Sequence, residues 1–257
     1  IVSRSSDERV IMSSEFDSRY TGYMNQIVNE LKNSKEYKDY ECDVLNLGLK
    51  IYTNFDSKIQ DTLTESVNAN YAGIKQASNV AMVVLNNENS GISALYGGKK
   101  QTFHGFNIAT QAKLQPGSSI KPLIDYAPGI EYYGWDPQTT FSDTPYKIAG
   151  TEFYIKNWDR IYHGTVPMTR AVSWSYNIPA VRAFESVGYE RATLFAERLG
   201  IPVTKDEPTT AIGGNVDGVS TLQMAGAFAS FGNKGYYNKP STIVKVFNDN
   251  GQELVHI

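Results

Sequence analysis

The segment Gln115-Pro116-Gly117-Ser118-Ser119-Ile120-Lys121-Pro122 sets a hydroxyl and an amine three residues apart where a helix is expected to begin. Pro116 and Gly117 end the preceding segment, and Ile120, Leu123, Ile124 and Ala127 then recur at helical spacing. A helix accepts Pro122 only in its first turn, where the missing N–H has no partner to lose. The helix is therefore predicted to start near Ser118. There Ser118 and Lys121 share one face, while Ser119 points elsewhere. A serine at that start has free backbone N–H groups and the positive end of the helix dipole beside it, which suit developing negative charge. The apolar helix is expected to be buried, and burial lowers a lysine pKa until its neutral amine can take a serine proton. The pattern suits acyl transfer. Its structural alternative is Ser118 as a helix cap with a solvated Lys121.

A second pair of polar groups lies in Ser175-Tyr176-Asn177, between two predicted helices. A hydroxyl and a carboxamide two residues apart in such a turn can relay a proton and bind a substrate amide. The alternative is that Asn177 caps the helix that Pro179 helps to start.

The surrounding elements follow from hydrophobic periodicity. A helix is predicted from about Tyr20 to Leu31, with Tyr23, Met24, Ile27, Val28 and Leu31 on one face. Asn33 to Asp43 is charged and Tyr-rich without clear period, and Leu47 to Thr53 alternates like a short strand. Asp56 reads as the N-cap of a helix with Ile59, Leu63 and Val67 on its face. The continuous apolar run Val80–Leu85 predicts a buried strand, followed by a turn at 86–91 and a second strand from Ile92 to Tyr96, ending at Gly97-Gly98. Residues 131–164 read as loop-rich, and their tyrosines suit either a substrate groove or a packed loop. Helices are expected at about 167–175, 179–187, 190–199 and 220–231, punctuated by Pro179, Gly188, Gly200 and Gly232. Thr242 to Phe247 closes the pattern as a strand leading into an Asp249-Asn250-Gly251 hairpin turn.

Composition narrows the classes. The chain has 257 residues, 41% hydrophobic and 20% charged, with a net charge of −3. This globular balance lacks the basic excess that nucleic-acid binding needs. The single cysteine, Cys42, allows no internal disulfide and has no histidine near it in sequence. No apolar run approaches the roughly 20 residues of a membrane span, and no signal peptide opens the chain. The first residue, Ile1, suggests a fragment of a longer protein. His104, His163 and His256 lack metal-ligand spacing, so neither a metal centre nor a cofactor is expected. Gly97-Gly98 and Gly213-Gly214 read as strand-end turns rather than phosphate loops, and nothing brings Glu152 and Asp159 together as a carboxylate pair.

Taken together, Gln111 to Pro122 resembles the active-site segment of penicillin-binding proteins, the serine D,D-transpeptidases of cell-wall synthesis. Ser175-Tyr176-Asn177 is similar to their Ser-x-Asn motif. Ala94-Leu95-Tyr96-Gly97-Gly98 resembles the end of the hairpin before the active serine. Asn157-Trp158-Asp159-Arg160 resembles a segment of the bifunctional, class A members of Gram-positive bacteria. Gly213-Gly214, the stretch 218–224 and Gly232–Gly235 resemble the region after the Ser-x-Asn helices. The resemblance covers roughly residues 47–257 and implies a mixed α/β (α+β) transpeptidase fold, with a sheet flanked by a helical subdomain. Residues 1–75 would be a linker or interdomain region and 76–257 the transpeptidase domain.

By the same resemblance Ser118 is the nucleophile and Lys121 its proton acceptor. Ser175 relays a proton to the leaving amine, Asn177 holds the substrate amide, and the Ser118 N–H supplies half of an oxyanion hole. The implied partners are peptidoglycan stem peptides ending in D-Ala-D-Ala, with β-lactams as covalent inhibitors and cell-wall synthesis and division proteins nearby. The implied place is the extracytoplasmic face of the bacterial membrane, with an anchor and a glycosyltransferase domain outside this chain. The family's third motif, Lys-Thr-Gly or Lys-Ser-Gly, is missing from these residues and is expected beyond Ile257, so the fragment alone would have an incomplete site. The rival expectations are a β-lactam-hydrolysing or β-lactam-sensing serine enzyme with the same pair, and a catalytically inert cell-wall scaffold.

Overall fold

A computed structural model describes residues 18–34, 48–70, 79–203, 207–214 and 218–256. Cys42, most of the Tyr-rich stretch, Leu47 and the expected boundary near residue 75 lie outside the described residues. In chain order the elements are α1 (Thr21–Asn33), β1 (Lys50–Thr53), α2 (Ser57–Asn70), β2 (Met82–Leu85), β3 (Ile92–Tyr96), α3 (Ile108–Gln111), α4 (Ala127–Tyr133), β4 (Thr140–Asp143), β5 (Tyr146–Lys147), β6 (Tyr154–Ile155), β7 (Gly164–Pro167), α5 (Met168–Ser173), α6 (Asn177–Val187), α7 (Tyr189–Arg198), α8 (Thr221–Gly232), β8 (Ile243–Phe247) and β9 (Glu253–His256). Between α3 and α4 the chain passes through a 3-10 turn, Gly117–Ile120, and a π-helical turn, Pro122–Tyr126. The architecture is mixed α+β, as expected. It divides into two compact units, Ile1–Ala112 with Ser220–Ile257, and Lys113–Val219.

The first unit holds an antiparallel sheet in the order β1-β8-β9 and the β2-β3 hairpin. The predicted face of α1 is the buried one: Tyr23, Ile27 and Leu31 pack with Ile92, Leu95, Ile243 and Val246. Each such side chain withdrawn from water contributes roughly 1.5–3 kcal/mol. Tyr23 Oη also donates to the Ile92 carbonyl at 2.6 Å, fixing the helix on β3. The hairpin turn is set by two asparagines, with Asn86 Oδ1 accepting from Glu88 N and Asn89 Oδ1 from Gly91 N.

Two expectations in this unit need correction. β2 is not buried: Met82 is 40% exposed and the rest of the strand half-buried. It pairs only with β3 among the described residues and has α8 packed against it, so its apolar run does not bury both faces. The cap of α2 is the expected one, since Asp56 Oδ1 accepts from Lys58 N and Ile59 N. Its buried face, however, is Gln60, Thr64 and Val67, with Ile59 38% exposed. The Gln60 carboxamide pairs with the β3 backbone, donating to Leu95 O at 3.2 Å and accepting from Leu95 N at 2.8 Å. A polar residue takes the inner face because it satisfies a strand edge there.

The second unit is mainly helical. Its expected loop-rich stretch carries two short antiparallel pairs, β4-β7 and β5-β6. Trp135, Phe141 and Tyr126 pack edge-to-face within it and join Val166, Met168, Tyr176 and Ala180 in one core. Leu114 and Val219 close the unit with two reciprocal backbone hydrogen bonds of 3.1 and 2.8 Å. Gly213 follows a 3-10 turn, Thr210–Ile212, rather than a strand. Its φ is +83°, and a Cβ there would run into the backbone of Gly117. Gly213→Ala is expected to lower unfolding free energy by about 1–3 kcal/mol, through strain and overpacking together. A shift of the urea midpoint at unchanged slope checks it.

Candidate active site

The chain enters the site through Gly117, whose φ of +56° turns it into the 3-10 segment. Ser118 lies exposed on this turn. It does not cap the helix, because the N-cap position is Pro116. Ser119 Oγ donates to the Pro116 carbonyl at 2.6 Å, so its hydroxyl is committed. No hydrogen bond engages Ser118 Oγ among the described residues. Ile120, Leu123 and Ile124 are fully buried, and they carry Lys121 inward with them. Pro122 takes the first position of the π turn, a first-turn place like the expected one, though the helical path itself opens earlier, at Gly117. It stands where the 3-10 segment gives way to the π turn: Lys121 N–H bonds Ser118 O, and Ala127 N–H reaches back to Pro122 O. The widened turn accommodates a proline that has no N–H and whose ring crowds the preceding carbonyls.

Lys121 is 3% exposed. Its Nζ donates to Ser175 O at 2.7 Å, Ser175 Oγ at 3.2 Å, Tyr176 O at 3.4 Å and Asn177 Oδ1 at 2.7 Å. Three of the four sequence-predicted residues thus form one hydrogen-bonded group. Ser118 precedes Lys121 by three residues, its carbonyl accepting the Lys121 N–H, and no side-chain hydrogen bond joins it to the three among the described residues. Burial lowers the Lys121 amine from 10.5 to about 8, against an opposing pull from Asp125.

Ser175 joins α5 to α6 with φ +52°, a left-handed conformation that costs a non-glycine residue about 1–3 kcal/mol. Backbone bonds from Ser175 N to Val172 O and from Tyr176 N to Ala171 O hold it there. In that conformation both its carbonyl and its hydroxyl meet the amine. Asn177 does not cap α6. Its Oδ1 serves Lys121 and its Nδ2 donates to Lys156 O at 2.7 Å.

Several residues absent from the sequence reading of the site support it. Asn157 Oδ1 accepts from Asn177 N and Ile178 N, capping α6 from outside. Its Nδ2 contacts both oxygens of buried Asp143 at 2.8 and 2.9 Å. His163 joins Asp143 through Nδ1 at 2.7 Å and approaches Asp159 and the Tyr176 hydroxyl through Nε2 at 3.2 Å. Glu152 instead pairs with Lys147 on the surface, so it forms no pair with Asp159. Trp158 and Trp174, 62% and 52% exposed, lie parallel at the edge of this turn. Only the Asn157 segment carried a sequence signal. The cluster joins residues from β4, the turn after β6 and α6, which periodicity does not connect. No group of three or more potential metal ligands occurs among the described residues.

Asp125, one helical turn beyond Lys121, is fully buried, and neither carboxyl oxygen has a hydrogen-bond partner among the described residues. Burial drives its pKa well above the ordinary 3.8, partly offset by the Lys121 amine.

The description "Penicillin binding protein transpeptidase domain" matches residues 80–255, and the chain belongs to that family. It is 39% identical over 253 residues to penicillin-binding protein 1A/1B of Bacillus subtilis, a match covering 95% of this chain and 27% of that protein. Against penicillin-binding protein 1A of Streptococcus pneumoniae the figures are 33% over 248 residues, 92% and 34%. The chain thus spans about a third or less of these curated relatives. They place it with the transpeptidase domains of class A penicillin-binding proteins. Among solved structures, penicillin-binding protein 1A from Haemophilus influenzae matches with a TM-score of 0.61 and 32% identity, over 70% of this chain and 27% of that one. PonA1 from Mycobacterium tuberculosis, solved in complex with penicillin V, shares the fold with a TM-score of 0.75 at 24% identity, over 91% of this chain and 64% of that one.

The raised Asp125 pKa has a stability consequence with a definite sign. The folded state holds this proton more tightly than the unfolded chain, so the associated stabilisation is complete below about 3.8 and is lost as pH rises. Asp125→Asn cannot ionise. Its melting temperature is expected to rise relative to the unsubstituted protein between about pH 4 and pH 8. Thermal melts of both proteins across that range check it.

Proposed function

We propose that this chain carries the acyl-transfer site of a peptidoglycan D,D-transpeptidase. Ser118 is the nucleophile, supported by its exposed position three residues before the buried Lys121. Lys121 takes its proton as the Ser118 oxygen attacks the carbonyl of a D-Ala-D-Ala bond. Ser175, within reach of Lys121 Nζ, passes the proton to the leaving amine, and D-Ala departs. An amine from a neighbouring stem peptide then attacks the acyl-enzyme and frees Ser118. Asn177 holds the substrate amide, and the Ser118 N–H contributes to the oxyanion hole. β-Lactams acylate the same serine, a reading supported by the penicillin V complex of PonA1.

The observation that carries this reading is the set of short bonds from Lys121 Nζ to Ser175 and Asn177, which unites the two motifs around one amine. Residues 76–257 act as the transpeptidase domain and residues 1–75 as the linker before it. The Lys-Thr-Gly or Lys-Ser-Gly strand completes the site from outside these residues. The whole protein works at the extracytoplasmic face of the membrane, beside a glycosyltransferase domain and together with cell-wall synthesis and division proteins.

The test is acylation by a fluorescent penicillin in the full-length protein. Ser118→Ala should abolish labelling and Ser119→Ala should retain it. Lys121→Met should slow it by about 100-fold or more, the usual worth of a general base. Because a neutral amine is required, the rate should rise with pH and level off above about 8, rather than above the 10.5 of an unshifted lysine. Unchanged labelling of Ser118→Ala would remove the reading.

A further inference from the structure

The turn holding Ser175 and Asn177 rests on a buried polar cluster for which the reaction above has no use. Helix α6 has no side-chain cap of its own, and the carboxamide of its first residue is committed to Lys121 and Lys156 O. The N–H groups of Asn177 and Ile178 still need an acceptor. Asn157 Oδ1 supplies it, at 2.9 and 3.3 Å. Asn157 is 3% exposed, and its Nδ2 donates to both Asp143 oxygens and to Ile161 O.

The orientation of this carboxamide is forced. A carboxylate only accepts, and the helix N–H groups only donate. With Asp143 on one side and α6 on the other, only Nδ2 toward Asp143 and Oδ1 toward the helix satisfies both. Asp143 is fully buried and is itself fixed by His163 N at 3.0 Å and His163 Nδ1 at 2.7 Å. The neighbouring carbonyl of Lys156 fixes the Asn177 side chain. One segment therefore sets both the backbone and the carboxamide of the residue that faces Lys121.

We propose that Asn157, oriented by Asp143, is the positioning residue of the site: it locks the first turn of α6 so that Ser175 and Asn177 meet the Lys121 amine. This rests on the acyl-transfer reading. Residue type follows from the role. Asp could still accept from α6 but would set a second carboxylate against Asp143. Leu would leave two helix N–H groups without their acceptor and would deprive the buried Asp143 carboxylate of one of its donors. A displacement of α6 by about 1 Å costs on the order of 100-fold in rate.

Asn157→Asp in the full-length protein gives a readout that a merely structural role would not produce. The two carboxylates, now face to face, must share a proton, so the substituted site is intact only while that proton is bound. The charged and titratable groups around them are His163, Asp159 beyond it, the Tyr176 hydroxyl, and Lys121 with Asp125 on the far side of Asn177. All of these are common to both proteins, so the quantity read is the ratio of their penicillin acylation rates. That ratio should fall by about 100-fold from about pH 5 to about pH 8. The exchanged pair Asp143→Asn/Asn157→Asp restores one donor facing one acceptor between the two side chains, leaves only the Ile161 carbonyl without its donor, and should recover most of the loss. A ratio flat with pH, or an exchanged pair labelling no faster than Asn157→Asp, overturns the proposal. If Asn157→Asp does not fold at the higher pH, the exchanged pair decides alone: near-normal labelling supports the proposal and a 100-fold loss overturns it. Ser118→Ala serves as the control. If it still labels, the acyl-transfer reading itself fails; if it does not, a flat ratio counts against Asn157 only.

Discussion

The structure of the candidate site depends on one buried amine. Removing a lysine from water costs several kcal/mol unless its protons find acceptors. Lys121 meets that requirement through the Ser175 carbonyl and hydroxyl, the Tyr176 carbonyl and the Asn177 carboxamide. The same contacts rationalise the left-handed Ser175, which no local preference would choose. They also rationalise why Asn177, placed to cap its own helix, turns its oxygen elsewhere. Its helix is capped instead by a residue distant in sequence.

The amine is held from below as firmly as from above. Ile120, Leu123 and Ile124 anchor the helix that carries it, and Gly213 lets a second 3-10 turn lie against Gly117 just before Ser118. The π turn after Lys121 brings Asp125 into the interior, where its carboxyl oxygens have no hydrogen-bond partner among the described residues. A neutral carboxyl there leaves the amine free to lose its proton, whereas an ionised one would hold it charged. Burial thus acts on both groups in the direction that keeps them neutral.

Much of this was legible in the sequence. The apolar face of α1, the cap of α2, both hairpin turns and the helices of the second unit follow from periodicity and turn residues. Helical spacing separates Ser118 from Ser119, and the Ser119 hydroxyl is bound to the Pro116 carbonyl. The misses share a cause. Gln60 faces inward because it pairs with a strand edge, and β2 stays half-exposed because of where it lies in the sheet. Asp143 meets Asn157 and His163 through tertiary packing of short strands and turns, and no spacing rule joins them. Polar residues that work inside a fold leave no periodic trace. For that reason the support of the site was less visible than the site itself.

The central claim is that the Ser118 hydroxyl, three residues before the buried Lys121, is the one that becomes acylated. The most direct measurement is peptide mapping by mass spectrometry of the full-length protein after reaction with a penicillin. The account predicts a single covalent adduct, on Ser118. An adduct on Ser119 or Ser175, or none at all, would contradict it.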